Sequence, residues 1–155
     1  MSDRAGGESG THLPLARILA AVDDAPGSLR AARVATTIAA ATQARLRVVS
    51  VIQDGAFLRA LSQASSVPKG DERMRGAADA LLRHVAAIAA EAGVSVETVV
   101  RDGDPGQQIV AEAVRWRTDL VVVGRCEHPG GSRLVLGRVT QHVLELVDVP
   151  VLVVP

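Results

Sequence analysis

The residues best suited to chemistry lie between Gly124 and Arg138, where four glycines and three arginines occur within fifteen positions. Glycines let the backbone approach a ligand closely, so that the N–H groups of the loop can bind a phosphate. The start of a helix expected at 138–147 adds a partial positive charge, and Arg125, Arg133 and Arg138 could add charge-assisted hydrogen bonds. The pattern therefore predicts a phosphate site, although the same glycines could serve only to let the loop turn.

This loop matches neither of the common nucleotide-binding patterns. The sequence contains no G-x-x-x-x-G-K-[ST] segment, and no G-x-G-x-x-G follows the first apolar run. A P-loop nucleoside triphosphatase and a dinucleotide-dependent dehydrogenase are therefore poor fits.

The other reactive side chains do not form a catalytic or metal-binding set. The four histidines share no metal-ligand spacing, and Cys126 and His128 lie two residues apart in a loop, where a nucleophile and a base rarely converge. We therefore predict no catalytic residue and no metal site. Asp23 and Asp24 follow the first apolar run, where they could line a ligand site or simply cap the next helix.

Short β-branched runs alternate with helical patterns along the chain. Several runs are apolar at every position, as expected for strands covered on both faces, and the runs are 18–22, 46–52, 94–100, 120–123 and 151–154. Apolar residues spaced by three and four predict helices over 28–42, 71–92, 105–117 and 138–147. This order predicts an α/β fold, a five-stranded parallel doubly wound sheet with helices on both faces. In such a sheet ligands bind beyond the carboxyl ends of the strands, where Asp23, the end of the second strand near Val51 and the glycine-rich loop should meet.

Two helix boundaries and one long connection follow from single residues. Gly93 is well placed to end the second helix, because glycine tolerates the left-handed conformation common at that position. Asp104 and Pro105 suit the start of the third helix, as a carboxylate cap followed by proline. Residues 53–70 form a connection long enough to be a functional flap or partly disordered.

Composition limits the class of protein. The chain has 155 residues with 17 basic and 17 acidic side chains, which suits one soluble domain and argues against nucleic-acid binding through bulk charge. The single cysteine excludes a disulfide framework, and no apolar run approaches the ~18 residues of a membrane span. Residues 1–14 are polar and glycine-rich, so we expect a disordered leader and one domain at 15–155. No signal peptide is recognisable, so we expect a cytoplasmic location.

Four segments of the chain resemble the universal stress protein family. They are RILAAVDDAPGS (17–28), VVSVI (48–52), DGDPGQQIVAEAVRWRTDLVVVG (102–124) and SRLVLGRVTQHVLELVDVPVLVVP (132–155). The GDP triplet before a helix, the DLVVVG strand and the closing VPVLVV are typical of that family. The resemblance covers about residues 15–155 and implies a Rossmann-like sheet of the adenine nucleotide alpha hydrolase type, with strand order 3-2-1-4-5.

Some members of this family bind ATP through a G-x2-G-x9-G-[S/T] loop after strand four, and this chain resembles that motif only in part. Gly124 and Gly137 match the first and third glycines, whereas Glu127 replaces the second glycine and Arg138 replaces the Ser/Thr. A carboxylate ~5 Å from one phosphate charge is unfavourable by about 3 kcal/mol at an effective dielectric constant of about 20. We therefore expect ATP binding to be weakened or lost, with Mg²⁺ present only if ATP binds.

The resemblance also implies which residues would form a nucleotide site. Asp23 matches an aspartate near the ribose, the phosphates or their metal, and Val51 matches the position whose backbone meets adenine. Thr140 could supply a hydroxyl at the helix start. The complete predicted set is Ala21, Val22, Asp23, Val51, Gly124, Arg125, Gly130, Gly137, Arg138, Val139 and Thr140.

Two functions remain open from the sequence. The first is a small dimeric stress-response protein with a nucleotide-type crevice, which acts on an unidentified protein partner without bound nucleotide. The second is a functional ATP-binding regulator, with or without weak ATP hydrolysis. The incomplete motif favours the first. Relatives in the family commonly dimerise through an apolar last strand, so we also predict a homodimer formed by strand 150–154.

Overall fold

The computed structural model describes residues 14–53, 60, 63–64, 70–125 and 136–155. Within them, strands and helices alternate as β1 (Arg17–Ala21), α1 (Pro26–Thr42), β2 (Arg45–Ile52), α2 (Gly70–Glu91), β3 (Val96–Asp102), α3 (Pro105–Arg115), β4 (Leu120–Gly124), α4 (Arg138–Leu146) and β5 (Val151–Val154). The predicted alternation is confirmed. The predicted leader and the predicted connection at 53–70 fall largely outside the described residues. None of these helices is long and apolar enough to cross a membrane.

All five strands pair in parallel, in the order β3-β2-β1-β4-β5, which confirms the predicted doubly wound sheet. β1 lies in the middle, where Ile18 pairs with Leu46 of β2 on one side and with Leu120 of β4 on the other. The chain runs outward from β1 to β3 and then crosses back to β4, so the strand order reverses beside β1. A crevice opens between the carboxyl ends of the strands at such a reversal.

Helices cover both faces of the sheet. Since successive residues of the central strand point to opposite sides, they pack in two separate cores. Ile18 packs on one side with Ala31 of α1 and Leu82 of α2. Leu19 packs on the other side in a core that Ile109 of α3 and Val143 of α4 complete. The small side chains on the buried face of α1 allow this helix to lie close to β1 and β4.

The start of α3 has a side-chain cap, whereas the start of α1 has none. Asp104 caps α3 as predicted, since its Oδ1 accepts a hydrogen bond from the N–H of Gln107 at 2.9 Å. The alternative in which Asp23 or Asp24 caps α1 is wrong, because Ala25 occupies the capping position and offers no side-chain acceptor.

The end of α2 explains why β3 begins two residues later than predicted. Gly93 adopts a left-handed conformation with φ of 72°, and its N–H donates to the carbonyl oxygen of Ala90. The N–H of Val94 donates to the carbonyl oxygen of Ala89, also at the end of the helix. Because this motif uses the backbone of Val94, the strand starts only at Val96.

A buried carboxylate joins α3 to β2 and β3. Glu112 is fully buried and accepts hydrogen bonds at 2.7 to 2.9 Å from the guanidinium groups of Arg47, Arg101 and Arg115. Burial by itself would raise the pKa of Glu112, but the hydrogen bonds and charges of the arginines outweigh burial and lower the pKa below its ordinary value. The charged carboxylate therefore holds α3 against two strands at neutral pH.

The single tryptophan of the chain packs at the same place. Trp116 directly follows α3 and is 7% exposed. The guanidinium carbon of Arg47 lies 4.6 Å from the centre of its ring, within the range of a cation–π contact. Arg47 therefore binds both the buried carboxylate of Glu112 and the indole, and the two contacts fix the last turn of α3 to β2.

Candidate functional site

A cavity of about 330 Å³ lies at the carboxyl edge of the sheet, enclosed by the ends of β1, β2 and β4 and the first turns of α3 and α4. Ten of the eleven predicted site residues line it, namely Ala21, Val22, Asp23, Val51, Gly124, Arg125, Gly137, Arg138, Val139 and Thr140. Gly130, the eleventh, lies outside the described residues. The ends of β1 and β2 therefore meet the described residues that flank the glycine-rich loop at this edge, and the part that each residue takes in binding stays a prediction.

The apolar part of the lining includes residues that the sequence analysis missed. Val49 of β2, Val123 of β4, and Pro105 and Ile109 of α3 join Val51 around the cavity. A signal for the α3 residues was present in the sequence, because the predicted start of α3 follows the third strand almost directly. A helix that begins where a strand ends must place its first turn at the carboxyl edge of the sheet.

Asp23 is held in place by the start of α1. Its Oδ1 accepts hydrogen bonds from the hydroxyl of Ser28 at 2.5 Å and from the backbone N–H of Ala25 at 2.9 Å. The N–H of Asp23 donates in turn to the Ser28 hydroxyl oxygen at 3.1 Å. This ring of hydrogen bonds fixes an exposed carboxylate at the rim of the cavity, where it can accept hydrogen bonds from a hydroxyl or coordinate a cation that accompanies a ligand.

Two glycines bring α1 and β4 into backbone contact beside the cavity. A Cβ atom on Gly124 would lie 2.6 Å from the carbonyl carbon of Gly27 and 2.9 Å from the backbone nitrogen of Ser28. A Cβ atom on Gly27 would lie 2.8 Å from the carbonyl oxygen of Arg125. Gly124 therefore has a structural role that the loop motif did not predict, which is to let the helix approach the strand.

Thr140 connects α4 to the same strand. Its side chain is buried, and its hydroxyl donates to the carbonyl oxygen of Gly124 at 3.2 Å. The proton of the hydroxyl predicted to face a ligand is thus engaged by the protein backbone. This bond sets the position of the first turn of α4 at the cavity wall.

The cationic part of the lining comes from the residues that flank the glycine-rich loop. Arg125 is half-buried, and its backbone N–H donates to the carbonyl oxygen of Val154 at 2.7 Å, which ties this side of the cavity to β5. Arg138 is exposed and is the first residue of α4. Gly137 precedes it and has no side chain to accept from the first N–H groups of the helix, so these groups can bind an anion.

Other predicted features of the loop cannot be placed. Cys126, Glu127, His128 and Arg133 lie outside the described residues, so the unfavourable charge of Glu127 beside a phosphate stays a prediction. Among the described residues, the histidines and acidic side chains form no group of three or more that could hold a metal ion.

A second groove of similar size, about 350 Å³, lies between α2 and β3. It is lined by Asp79 and Arg83 of α2 and by Thr98 and Val100 of β3, and it is more open than the cavity at the strand ends. Its position beside the outermost strand is away from the strand reversal, which is where doubly wound sheets bind ligands. We therefore place the candidate site at the cavity of 330 Å³.

Sequence comparison identifies one family for nearly the whole chain. The model of the "Universal stress protein family" matches residues 15–155. A universal stress protein of Methanocaldococcus jannaschii, MJ0531, is 30% identical over 138 residues, which cover 89% of this chain and 81% of the relative.

Structural comparison finds the same architecture in solved proteins. Universal stress protein UspA from Lactobacillus plantarum superposes with a TM-score of 0.77 at 23% identity, covering 91% of this chain and 98% of that one. A universal stress protein crystallised in complex with cAMP superposes with a TM-score of 0.68 at 25% identity, covering 90% of this chain and 96% of that one.

Proposed function

We propose that this chain, which belongs to the universal stress protein family, binds an adenine nucleotide in the cavity at the strand ends and acts as a cytoplasmic regulatory protein rather than as an enzyme. The observation that carries the proposal is the lining of the cavity, in which an apolar wall stands beside two arginines and a helix N-terminus. A nucleotide needs both, since its base is largely apolar and its phosphate is charged.

The end of β2 suits the edge of a nucleobase. The N–H of Val22 donates to the carbonyl oxygen of Val49 at 2.9 Å, just after β1 ends at Ala21. Alternate residues of a strand direct their backbone groups to the same side, so Val51 presents its groups beyond the end of β1, toward the cavity. We propose that this backbone recognises the polar edge of adenine, while the apolar side chains of Val22 and Ile109 contact its faces.

The cationic side of the cavity suits one phosphate group better than three. Arg138 and the first N–H groups of α4 provide charge-assisted and backbone donors at the cavity wall. The hydroxyl of Thr140 is engaged by Gly124, and Arg138 occupies the position where the family motif has Ser or Thr. We therefore propose a nucleoside monophosphate or cyclic monophosphate as the preferred ligand over ATP, in line with the cAMP complex of the similar solved protein.

Isothermal titration with AMP and cAMP tests this proposal directly. Both nucleotides should bind, and Arg138→Gln should weaken their binding by about tenfold or more, because a hydrogen bond from a charged donor contributes roughly 1.5–3 kcal/mol. Arg33→Gln is the matched control. It makes the same change on the exposed side of α1, away from the cavity, and should leave the affinity unchanged.

Absence of binding would overturn the proposal. If AMP, cAMP and Mg-ATP at millimolar concentration produce neither heat nor a thermal shift, the remaining interpretation is a nucleotide-free interaction module. Equal losses of affinity in Arg138→Gln and Arg33→Gln would show that the nucleotide does not bind through Arg138 in this cavity.

We also propose that the chain forms a homodimer through β5. This strand ends the sheet, pairs only with β4 among the described strands, and keeps Val151, Leu152 and Val153 partly exposed. Leu146, at the end of the preceding helix, is 53% exposed. An apolar edge strand of this kind favours pairing with a second copy.

Sedimentation at tens of micromolar should show a dimer. Val151→Lys should shift the equilibrium toward monomer, because a lysine on an edge strand opposes strand pairing. Val96→Lys makes the same change at the start of β3, on the opposite edge of the sheet, and should leave the dimer intact. A wild-type monomer would refute the proposal.

A further inference from the structure

A smaller cavity of about 200 Å³ lies directly beside the candidate site, between the first turns of α3 and α4. The candidate site is called the first cavity below. The two cavities share Gln53, Pro105, Arg138 and Val139 in their linings. We call the smaller one the polar chamber. Three of its lining residues do not line the first cavity, namely Asp104, Gly106 and His142. Arg138 borders both cavities, so a ligand whose phosphate binds this arginine has the polar chamber immediately beyond it.

The imidazole of His142 forms one side of the polar chamber. It packs directly on the first turn of α3, since a Cβ atom on Gly106 would lie 2.7 Å from its Cδ2. Its Nε2 is buried and has no hydrogen-bond partner among the residues that the structure describes. A buried polar atom without a partner is unfavourable, so a ligand group that bonds to this nitrogen would be stabilised there.

The charges of the polar chamber differ from those of the first cavity. Its lining includes Asp104 and Arg138, which carry opposite charges, and Gln53, which carries an amide. One oxygen of Asp104 accepts from the N–H of Gln107, which fixes the carboxylate at the start of α3. A further phosphate would meet this negative charge, whereas hydroxyl groups can donate to the carboxylate and accept from the amide or the imidazole.

Resting on the proposed nucleotide site, we infer that the polar chamber binds a ribose-like polyol carried on the distal phosphate of an adenosine diphosphate, as in ADP-ribose. The adenosine occupies the first cavity, the diphosphate passes Arg138, and the terminal sugar meets Asp104 and His142. A carboxylate is a common partner for the hydroxyl groups of a ribose. The two cavities together also have the size expected for a ligand larger than a mononucleotide.

Isothermal titration of the full chain with AMP, ADP, ADP-ribose and ATP tests the inference. ADP-ribose should bind at least tenfold more tightly than ADP. His142→Ala should bring these two affinities to within a factor of two, while the affinity for AMP stays unchanged. Gln141→Ala, at the neighbouring exposed position of α4, is the matched control and should keep the tenfold preference.

A second variant guards against a folding defect in the first. Asp104→Asn keeps the helix cap, because asparagine caps as well as aspartate, and removes only the charge. It should also reduce the preference for ADP-ribose over ADP without affecting AMP.

The outcomes separate this inference from the proposed function. If AMP binds but wild-type protein prefers ADP-ribose no more than ADP, the polar chamber has no sugar site and the proposed function stands. If ATP binds most tightly and Asp104→Asn tightens it further, the chamber takes a phosphate and the inference is wrong. If no adenine nucleotide binds, the proposed function itself fails.

Discussion

Glu112→Gln is expected to lower the free energy of unfolding by about 3 kcal/mol, since breaking one side of a buried ion pair typically costs roughly 3–5 kcal/mol. The fully buried carboxylate accepts from Arg47, Arg101 and Arg115, and the neutral amide leaves three guanidinium groups without their shared anion. For a chain of this length the midpoint of thermal unfolding should fall by roughly 6–12 °C. Calorimetry or thermal unfolding followed by circular dichroism measures the change.

Glu145→Gln is the matched control for this prediction. Its carboxylate is exposed on α4 and accepts from the exposed amide of Gln141, so the same substitution should change stability by no more than about 0.5 kcal/mol. An equal effect of the two substitutions would contradict the role assigned to Glu112.

The pH dependence of the stability difference between wild type and Glu112→Gln gives an independent check. The pKa of Glu112 is lowered in the folded state, so its contribution to stability is present above the ordinary glutamate pKa and is lost as pH falls through the lowered value. The stability difference between wild type and Glu112→Gln should therefore be largest near neutral pH. It should shrink on acidification below the ordinary pKa of glutamate. A difference that is constant down to strongly acidic pH would show that charge is not its cause.

Gly124→Ala is expected to destabilise the protein by about 3 kcal/mol and to abolish nucleotide binding. The added Cβ would meet backbone atoms of Gly27 and Ser28 at 2.6 to 2.9 Å, so α1 must move away from β4. Overpacking of a well-packed site typically costs about 1–3 kcal/mol, and backbone atoms can relax less than side chains. The same movement displaces Asp23, which is bonded to Ser28 at the cavity rim. Denaturant unfolding and titration with AMP measure the two effects.

Gly76→Ala is a control in which the same substitution should increase stability instead of decreasing it. Gly76 lies within α2, and a Cβ atom there would meet nothing within 4 Å. Alanine is favoured over glycine in a helix by roughly 0.5–1 kcal/mol, so this variant should be slightly more stable and should bind nucleotide normally. If Gly124→Ala folds and binds like wild type, the close contact of α1 and β4 is not required for the site.

The fold was predictable from the sequence because two independent signals agree. Continuous apolar runs such as 46–52 indicate strands that are covered on both faces, and the intervening helical patterns provide the cover. Local chemistry added two correct helix boundaries, at Gly93 and Asp104, because each depends on one residue and its nearest neighbours along the chain. The position of the cavity proposed as the site then followed from topology, since the ends of parallel strands meet at one edge.

Features that depend on contacts between distant segments were not predicted. The loop motif predicts a ligand-binding role for Gly124, but no local pattern shows that a Cβ atom at this position would collide with the backbone of Gly27 where α1 approaches β4. Glu112 was overlooked although a signal existed. It lies three residues after Ile109 and four before Trp116, on the same buried helix face, and this spacing indicates a buried acidic side chain. Identifying its partners required knowing that Arg47 of β2 and Arg101 of β3 both reach this face of α3.

The placement of Trp116 makes α3 an optical reporter. The chain contains one tryptophan and no tyrosine, so nearly all of its ultraviolet emission comes from a single buried indole against the guanidinium of Arg47. α3 has 11 residues and is therefore about 16 Å long. Pro105 at one end of this rod borders the cavity, and the fluorophore follows the other end. A tilt of α3 when a ligand binds would change the wavelength or the intensity of this intrinsic fluorescence, without any added dye.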